Sequence, residues 1–563
     1  MASPRLILLG LDGATFTVID FLVARGRLPH LAALLQEGVR ARLESTVPPH
    51  SAAAWPSLVT GKNPGRHGLY DFYRRQPESY RLELINGGSV AGPKLWDFVG
   101  AAGKRVCVFN VPISYPPEPV NGVMVSGMDT PGRASEFTFP PSFKQELLAH
   151  FPGYSIEIDE LEGAVWRKER SGGDPRARRR QTILAHLEQQ LAVANFLLAR
   201  EPWDLFFGVI VAPDRAQHLF WSDFEEMQRG KELSAEASPL VAAYERADAA
   251  IGKWRAQYPD RSWVILSDHG FGALEKEFYL DQFLADRGLL CLRSPWERTW
   301  RLGTLAARKA GQIPGLLKAL VEQGRARWRR GDAVLPPWVL GDPERAVDWS
   351  RTRAYPIGDT GAIFINREGR EPQGIVKPGR AYEAVRDEII TALRELRDPE
   401  DGRPVVDGVY RREELYAGPA LDQLPDLHVH LRDYSYRVAV DLKGKKGRFF
   451  GRPRERKPAL YDSGTHRSEG ILVAAGPGLA RSRQLPSAHL LDIVPTVLYA
   501  LGLPIADGLD GAVLLEAFTP DYVSAHPVER GGRTAVPARA ASGYSREEER
   551  QISDRLRHLG YLD

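Results

Sequence analysis

The strongest constraint in this chain is a recurring alternation: short, uninterrupted apolar runs that stop abruptly at polar residues, with amphipathic stretches between them. Leu6 to Leu11, Val106 to Val111, Leu205 to Val211 and Trp263 to Leu266 are such runs. A strand that is apolar at every position, rather than every second one, is covered on both faces, which is the habit of parallel strands. Leu28 to Glu37 and Gln181 to Arg200 carry helical periodicity. Strand and helix therefore alternate, and the expected class is α/β, a mostly parallel central sheet with helices on both faces. In such sheets ligands bind beyond the carboxyl ends of the strands, so the polar residues directly after each run are the ones that matter.

With 563 residues, of which 43% are hydrophobic, the chain can bury a large interior. A formal net charge of +3, from 75 basic against 72 acidic residues, is too small for nucleic acid to be the main partner. Two cysteines, Cys107 and Cys291, exclude a disulfide framework and fit a reducing compartment. The first apolar stretch is too short for a secretory signal, and no run of about 18 uncharged apolar residues suggests a transmembrane segment. A cytoplasmic enzyme is the expectation.

The rhythm breaks at about Leu280, where a stretch rich in Arg and Trp (Trp296, Trp300, Arg325, Arg327, Trp328) has helical spacing. The expected division is a core over 1–279, an inserted helical subdomain over 280–342, the rest of the core over 343–519 and a tail with a short helix over 520–563. Strand-like segments at Ala362 to Asn366, Leu427 to Leu431 and Gly470 to Ala474 are expected to complete the sheet. The basic stretch 443–457 reads as a mobile loop. Ser545 and Glu548 have capping-box spacing ahead of a final helix.

Four short segments place metal-binding side chains just after strands or in a glycine-loosened loop. Asp12-Gly13 follows the first run. In Asp214-Arg-Ala-Gln-His218 a four-residue helical spacing puts a carboxylate and an imidazole on one face. Ser267-Asp268-His269-Gly270 ends a buried strand, where an Asp-His pair costs several kcal/mol unless charge or hydrogen bonds compensate, about what a divalent metal supplies. Asp462-Ser-Gly-Thr-His466 adds a third imidazole. Three carboxylates and three imidazoles suit two borderline cations, with zinc first and manganese or iron tolerated.

The order of these motifs, with Ser51 six places ahead of Ser57-Leu-Val-Thr-Gly61 and followed by Pro64-Gly-Arg-His-Gly68, resembles the type I phosphodiesterase/nucleotide pyrophosphatase family of the alkaline phosphatase superfamily. The resemblance implies an alkaline phosphatase-like three-layer sandwich acting on a small phosphorylated substrate. It places Ser51 at the nucleophile position, and it implies Asp12, Ser51, Asp268 and His269 around one metal and Asp214, His218 and His466 around the other. A phospho-serine intermediate, released by water, follows from it. Nucleotide pyrophosphatases place an Asn where this chain has Phe72, so Lys62, Arg66 or Arg467 are candidates to replace that phosphate donor. Asn110, after a strand, is a further pocket candidate.

Related folds supply the competing readings. Sulfatases need a Cys or Ser in a Cys/Ser-x-Pro-x-Arg context, which Ser51-Ala-Ala-Ala-Trp55 lacks. Cofactor-independent phosphoglycerate mutases share the two-metal serine or threonine site, which makes a phosphoryl mutase the runner-up. A binding protein with a decayed site ranks last, since all seven matched positions keep competent side chains.

Overall fold

The computed structural model describes residues 4–161, 174–200, 202–293, 347–439, 447–453, 461–531 and 543–559. Most of the expected 280–342 insertion, and most of the basic 443–457 stretch, lie outside them. What is described of the insertion begins with the short helix Leu280–Asp286.

The apolar runs became the strands they suggested. Leu6–Leu11 lies at the centre of a ten-stranded sheet, in parallel register with Leu205–Ile210 on one side and Ser262–Leu266 on the other. Val106–Phe109 and Gly122–Val125 extend the parallel order outward, and Glu469–Ala475 runs antiparallel between Ser262–Leu266 and Val39–Glu44. Successive side chains of Leu6–Leu11 feed two separate cores: Ile7, Leu9 and Leu11 enter one apolar cluster, Leu6 and Leu8 the other. Helices Pro175–Arg200, Ala212–Gln228 and Pro239–Gln257 contribute to the first. Helices Ser51–Thr60, Leu95–Ala101 and Ile493–Ala500 cover the second face. The result is a three-layer α/β sandwich.

One strand expectation is corrected. Of the three late segments only Glu469–Ala475 joins the main sheet. Ala362–Ile365 and Leu427–Leu431 pair with each other in a separate four-stranded antiparallel sheet, between Ala354–Ile357 and Val406–Arg411. Helix Arg380–Arg394 seals it, and Trp349, Tyr355, Phe364, Ile389 and Leu393 give it an apolar core of its own. The chain leaves the main body after Gly270–Ala273 and returns through Gly464–Arg467, and these two strands are antiparallel partners. Everything described between them forms a second lobe beside the carboxyl ends of the main strands.

In the tail, helix Arg546–Leu559 begins with the expected box: Ser545 N–H donates to Glu548 Oε2 at 2.8 Å, and Glu548 N–H to Ser545 Oγ at 3.4 Å. Among the described residues no helix is long and apolar enough to cross a membrane.

Candidate active site

Asp12 and the Asp268-His269 pair stand where strands stop, Asp214 and His218 on the helix that follows a strand, and His466 within a short strand. Asp12 follows the central strand, and Gly13, at φ 64°, turns the chain so that its N–H donates to Asp268 Oδ1 at 3.2 Å. An L side chain rarely adopts that φ. Asp214 sits in the first turn of the helix that follows Leu205–Ile210, with His218 one turn on. Asp268 and His269 follow Ser262–Leu266, and His466 comes from the returning strand, directly across from Phe271. All six are buried, and so is Ser51, the first residue of helix Ser51–Thr60.

These side chains converge on two adjoining clusters. His269 Nε2 lies 3.2 Å from Ser51 Oγ, 3.3 Å from Asp268 Oδ2 and 3.8 Å from Asp12 Oδ1. His218 Nε2 and His466 Nε2 are 3.1 Å apart, at 3.5 and 3.4 Å from Asp214 Oδ1. The rings of His269 and His466 stack at 3.8 Å, which joins the clusters. Backbone carbonyls orient the imidazoles. His466 Nδ1 is 2.9 Å from Pro49 O and His269 Nδ1 is 3.1 Å from Gly270 O, and because a carbonyl only accepts, each Nδ1 carries the proton and each Nε2 lone pair faces inward.

Electrostatically the site consists of like groups forced together. Burial, then Asp268 and Asp214, push Asp12 well above the carboxylate range, and burial is the main cause that lifts Asp268 to about 7. Burial and the neighbouring His269 drive His466 well below the usual imidazole value. Burial would raise Asp214 too, but His218, His466 and Arg215 outweigh it and hold the carboxyl well below normal. Asp12 Oδ1 and Asp268 Oδ2, fully enclosed, have no hydrogen-bond partner among the described residues. Carboxylates crowded against carboxylates, with the Nε2 lone pairs of His269 and His466 turned inward toward them, are costly in protein alone and are what a divalent cation satisfies. Two groups, Asp12 with Asp268 and His269, and Asp214 with His269 and His466, bring donor atoms within 4.8 Å of one another. The residues present therefore fit a metal.

A pocket open to solvent lies over the imidazole side of the site. Pro48, His50, His218 and His466 line it from the main body, and Asp359, Thr360, Tyr434 and Arg437 from the second lobe. None of the candidate substrate donors is among its lining residues. Arg66 is paired with Asp510 at 2.6 Å, and the Lys62 ammonium, its pKa lowered by burial and by Arg66, lies against Gly92. Arg467 spends its guanidinium on the carbonyls of Ala273 and His466. Asn110 Nδ2 donates to Val209 O at 2.9 Å. Phe72 packs its ring edge-on against His50 at 5.0 Å, one residue from Ser51. The lobe residues of the pocket carried no motif. Only a turn of three consecutive left-handed residues, Arg432, Asp433 and Tyr434, marks the spot, and it is a backbone feature.

Comparison with known proteins agrees with this architecture. Residues 6–457 match the family model for type I phosphodiesterase / nucleotide pyrophosphatase, and His466 lies beyond the matched stretch. Phosphonoacetate hydrolase from Sinorhizobium meliloti 1021, solved in complex with phosphonoformate, is 15% identical over 88% of this chain and 95% of its own, with a TM-score of 0.51. Murine ectonucleotide pyrophosphatase / phosphodiesterase 5 is 13% identical, covering 92% of this chain and 100% of that one, at a TM-score of 0.48. No curated protein sequence matches. With four-fifths of its length matched, the chain belongs to the type I phosphodiesterase/nucleotide pyrophosphatase family, a family of phosphoric ester hydrolases in the alkaline phosphatase superfamily.

Proposed function

We propose that this protein is a metal-dependent phosphoester hydrolase in which Ser51 attacks phosphorus and is transiently phosphorylated. One observation carries the reading: a fully buried serine hydroxyl at a helix amino terminus, 3.2 Å from His269 Nε2, borders three carboxylates and three imidazoles. Asp12, Ser51, Asp268 and His269 would hold one divalent cation, and Asp214, His218 and His466 the other. The mixed oxygen and nitrogen donors suit zinc and accept manganese. Bound there, such ions lower the hydroxyl pKa of serine and draw charge from the phosphoryl oxygens.

The protein's own groups supply the rest. The Ser51 helix presents its amino terminus, the positive end of its dipole, to an anionic phosphoryl group. Ser51 Oγ forms a bond to phosphorus as the bond to the departing alcohol breaks. Water then replaces the serine oxygen, releasing the phosphate product and restoring the hydroxyl. The lobe wall of Asp359, Thr360, Tyr434 and Arg437 receives the organic part of the substrate.

The test is hydrolysis of bis(4-nitrophenyl) phosphate by zinc- or manganese-loaded protein. Ser51→Ala is expected to lose about a thousandfold or more in kcat, and acid-quenched wild type to carry phosphate on the Ser51 peptide. Full activity in Ser51→Ala, or label on another residue, would remove the proposed nucleophile. Oxygen from solvent in the product separates a hydrolase from a phosphoryl mutase.

A further inference from the structure

The residue after Asp214 takes no part in the chemistry above, yet it is a buried cation. Arg215 is 3% exposed. A guanidinium withdrawn from water persists only when it is paired and hydrogen-bonded. Its Nη1 donates to Asp214 Oδ2 at 2.5 Å, and Nε and Nη2 both donate to Glu157 Oε2, at 3.3 and 2.8 Å. Glu157 is itself enclosed. Its other oxygen accepts from Ile158 N–H at 2.9 Å and faces His186 Nδ1 at 3.8 Å. Burial alone would raise the Glu157 carboxyl, but Arg215 and His186 more than offset that and hold it at about 2, so it is ionised.

The two oxygens of Asp214 are thus divided. Oδ2 is fixed by a guanidinium that is itself clamped, and Oδ1 is left facing His218 and His466. A carboxylate bonded only to a mobile donor swings about its Cβ–Cγ axis with that donor. One held as this one is does not. We propose that Arg215, braced by Glu157, is a positioning residue that aims Asp214 Oδ1 at the cation site it shares with His218 and His466. The proposal rests on the reading of Asp214 as a metal ligand. It differs from plain charge balance: a fixed positive charge near two cations repels them, so a role in charge alone predicts equal or tighter metal binding once the fork is lost, and positioning predicts weaker binding.

The experiment strips full-length protein with EDTA and titrates zinc back against a chromogenic chelator. Arg215→Lys keeps the charge and loses the fork. One of the two ions is expected to bind about 10–100-fold more weakly, with the other unchanged, and kcat/KM should recover as free zinc is raised. Glu157→Gln, which loosens the brace, should shift the same ion in the same direction by less. Arg215→Lys binding both ions as tightly as wild type, or weakening both equally, overturns the proposal. Should that variant fail to fold, unchanged binding in Glu157→Gln overturns it instead. Wild type that binds no zinc at all refutes the ligand assignment itself, which is a different failure.

Discussion

At the scale of single residues, the site trades stability for readiness. Asp12 and Asp268 crowd together in a sealed interior, and the Asp268 charge raises the cost of ionising Asp12. Asp268→Asn removes that charge, keeps an oxygen able to accept from Gly13 N–H, and gains an amide donor for Asp12. Metal-stripped Asp268→Asn is therefore expected to be more stable than stripped wild type, by on the order of 1–3 kcal/mol. Saturating zinc should raise the melting temperature of wild type by clearly more than that of the variant, which keeps only the Asp214, His218 and His466 set intact. Calorimetry with and without EDTA checks both halves, and a stripped variant that melts lower than stripped wild type contradicts the argument.

At the scale of elements, the brace behind Asp214 ties distant segments together. Arg555 from the tail helix Arg546–Leu559, 1% exposed, donates to Met128 O and to Asp159 Oδ1 at 2.9 Å, and Met128 Sδ lies 3.4 Å from Arg215 Nη2. Glu157, between these groups, has its folded-state pKa depressed from 4.5 to about 2. The sign follows directly. Its contribution, about 3 kcal/mol, is complete above 4.5 and fades as pH falls through 2. The difference in unfolding free energy between wild type and Glu157→Gln should be large at pH 7 and shrink toward pH 2.5, as urea melts can read. Little of this network was legible beforehand, because a buried ion pair such as Arg215 with Glu157 joins residues 58 apart with no local pattern. The candidate ligands were legible, since a strand that ends in Asp12 or in Asp268-His269 has no packing reason to do so. Ala362–Ile365 misled because an apolar run looks the same whichever sheet takes it. Arg66 and Arg467 misled because a cation near a motif does not disclose its partner, which proved to be Asp510 in one case and backbone carbonyls in the other.

At the scale of the molecule, the second lobe hangs from the site itself. Its entry and exit strands, Gly270–Ala273 and Gly464–Arg467, pair with each other, the first directly after His269 and the second containing His466. Further ties hold the lobe against the main body: Tyr416 O–H donates to Val47 O, and Ala417 N–H to Asn63 Oδ1 at 3.1 Å. The part of the lobe between those two strands can thus shape what enters, while the candidate ligands come from the main body and from the exit strand itself. Thr360 is a lining residue of the pocket, and its buried hydroxyl has no hydrogen-bond partner among the described residues, so a substrate group that reaches it gains a bond. Thr360→Val keeps the shape and removes that hydroxyl. For a diester whose second alcohol is large and polar, KM is expected to rise about 2–10-fold, the worth of one ordinary hydrogen bond, with kcat held. For a methyl aryl diester, which does not reach the lobe, both constants should stay at wild-type values. Equal losses on the two substrates would mean that Thr360 acts on the reacting phosphoryl group, and would move the specificity of this enzyme out of the lobe and back into the main sheet.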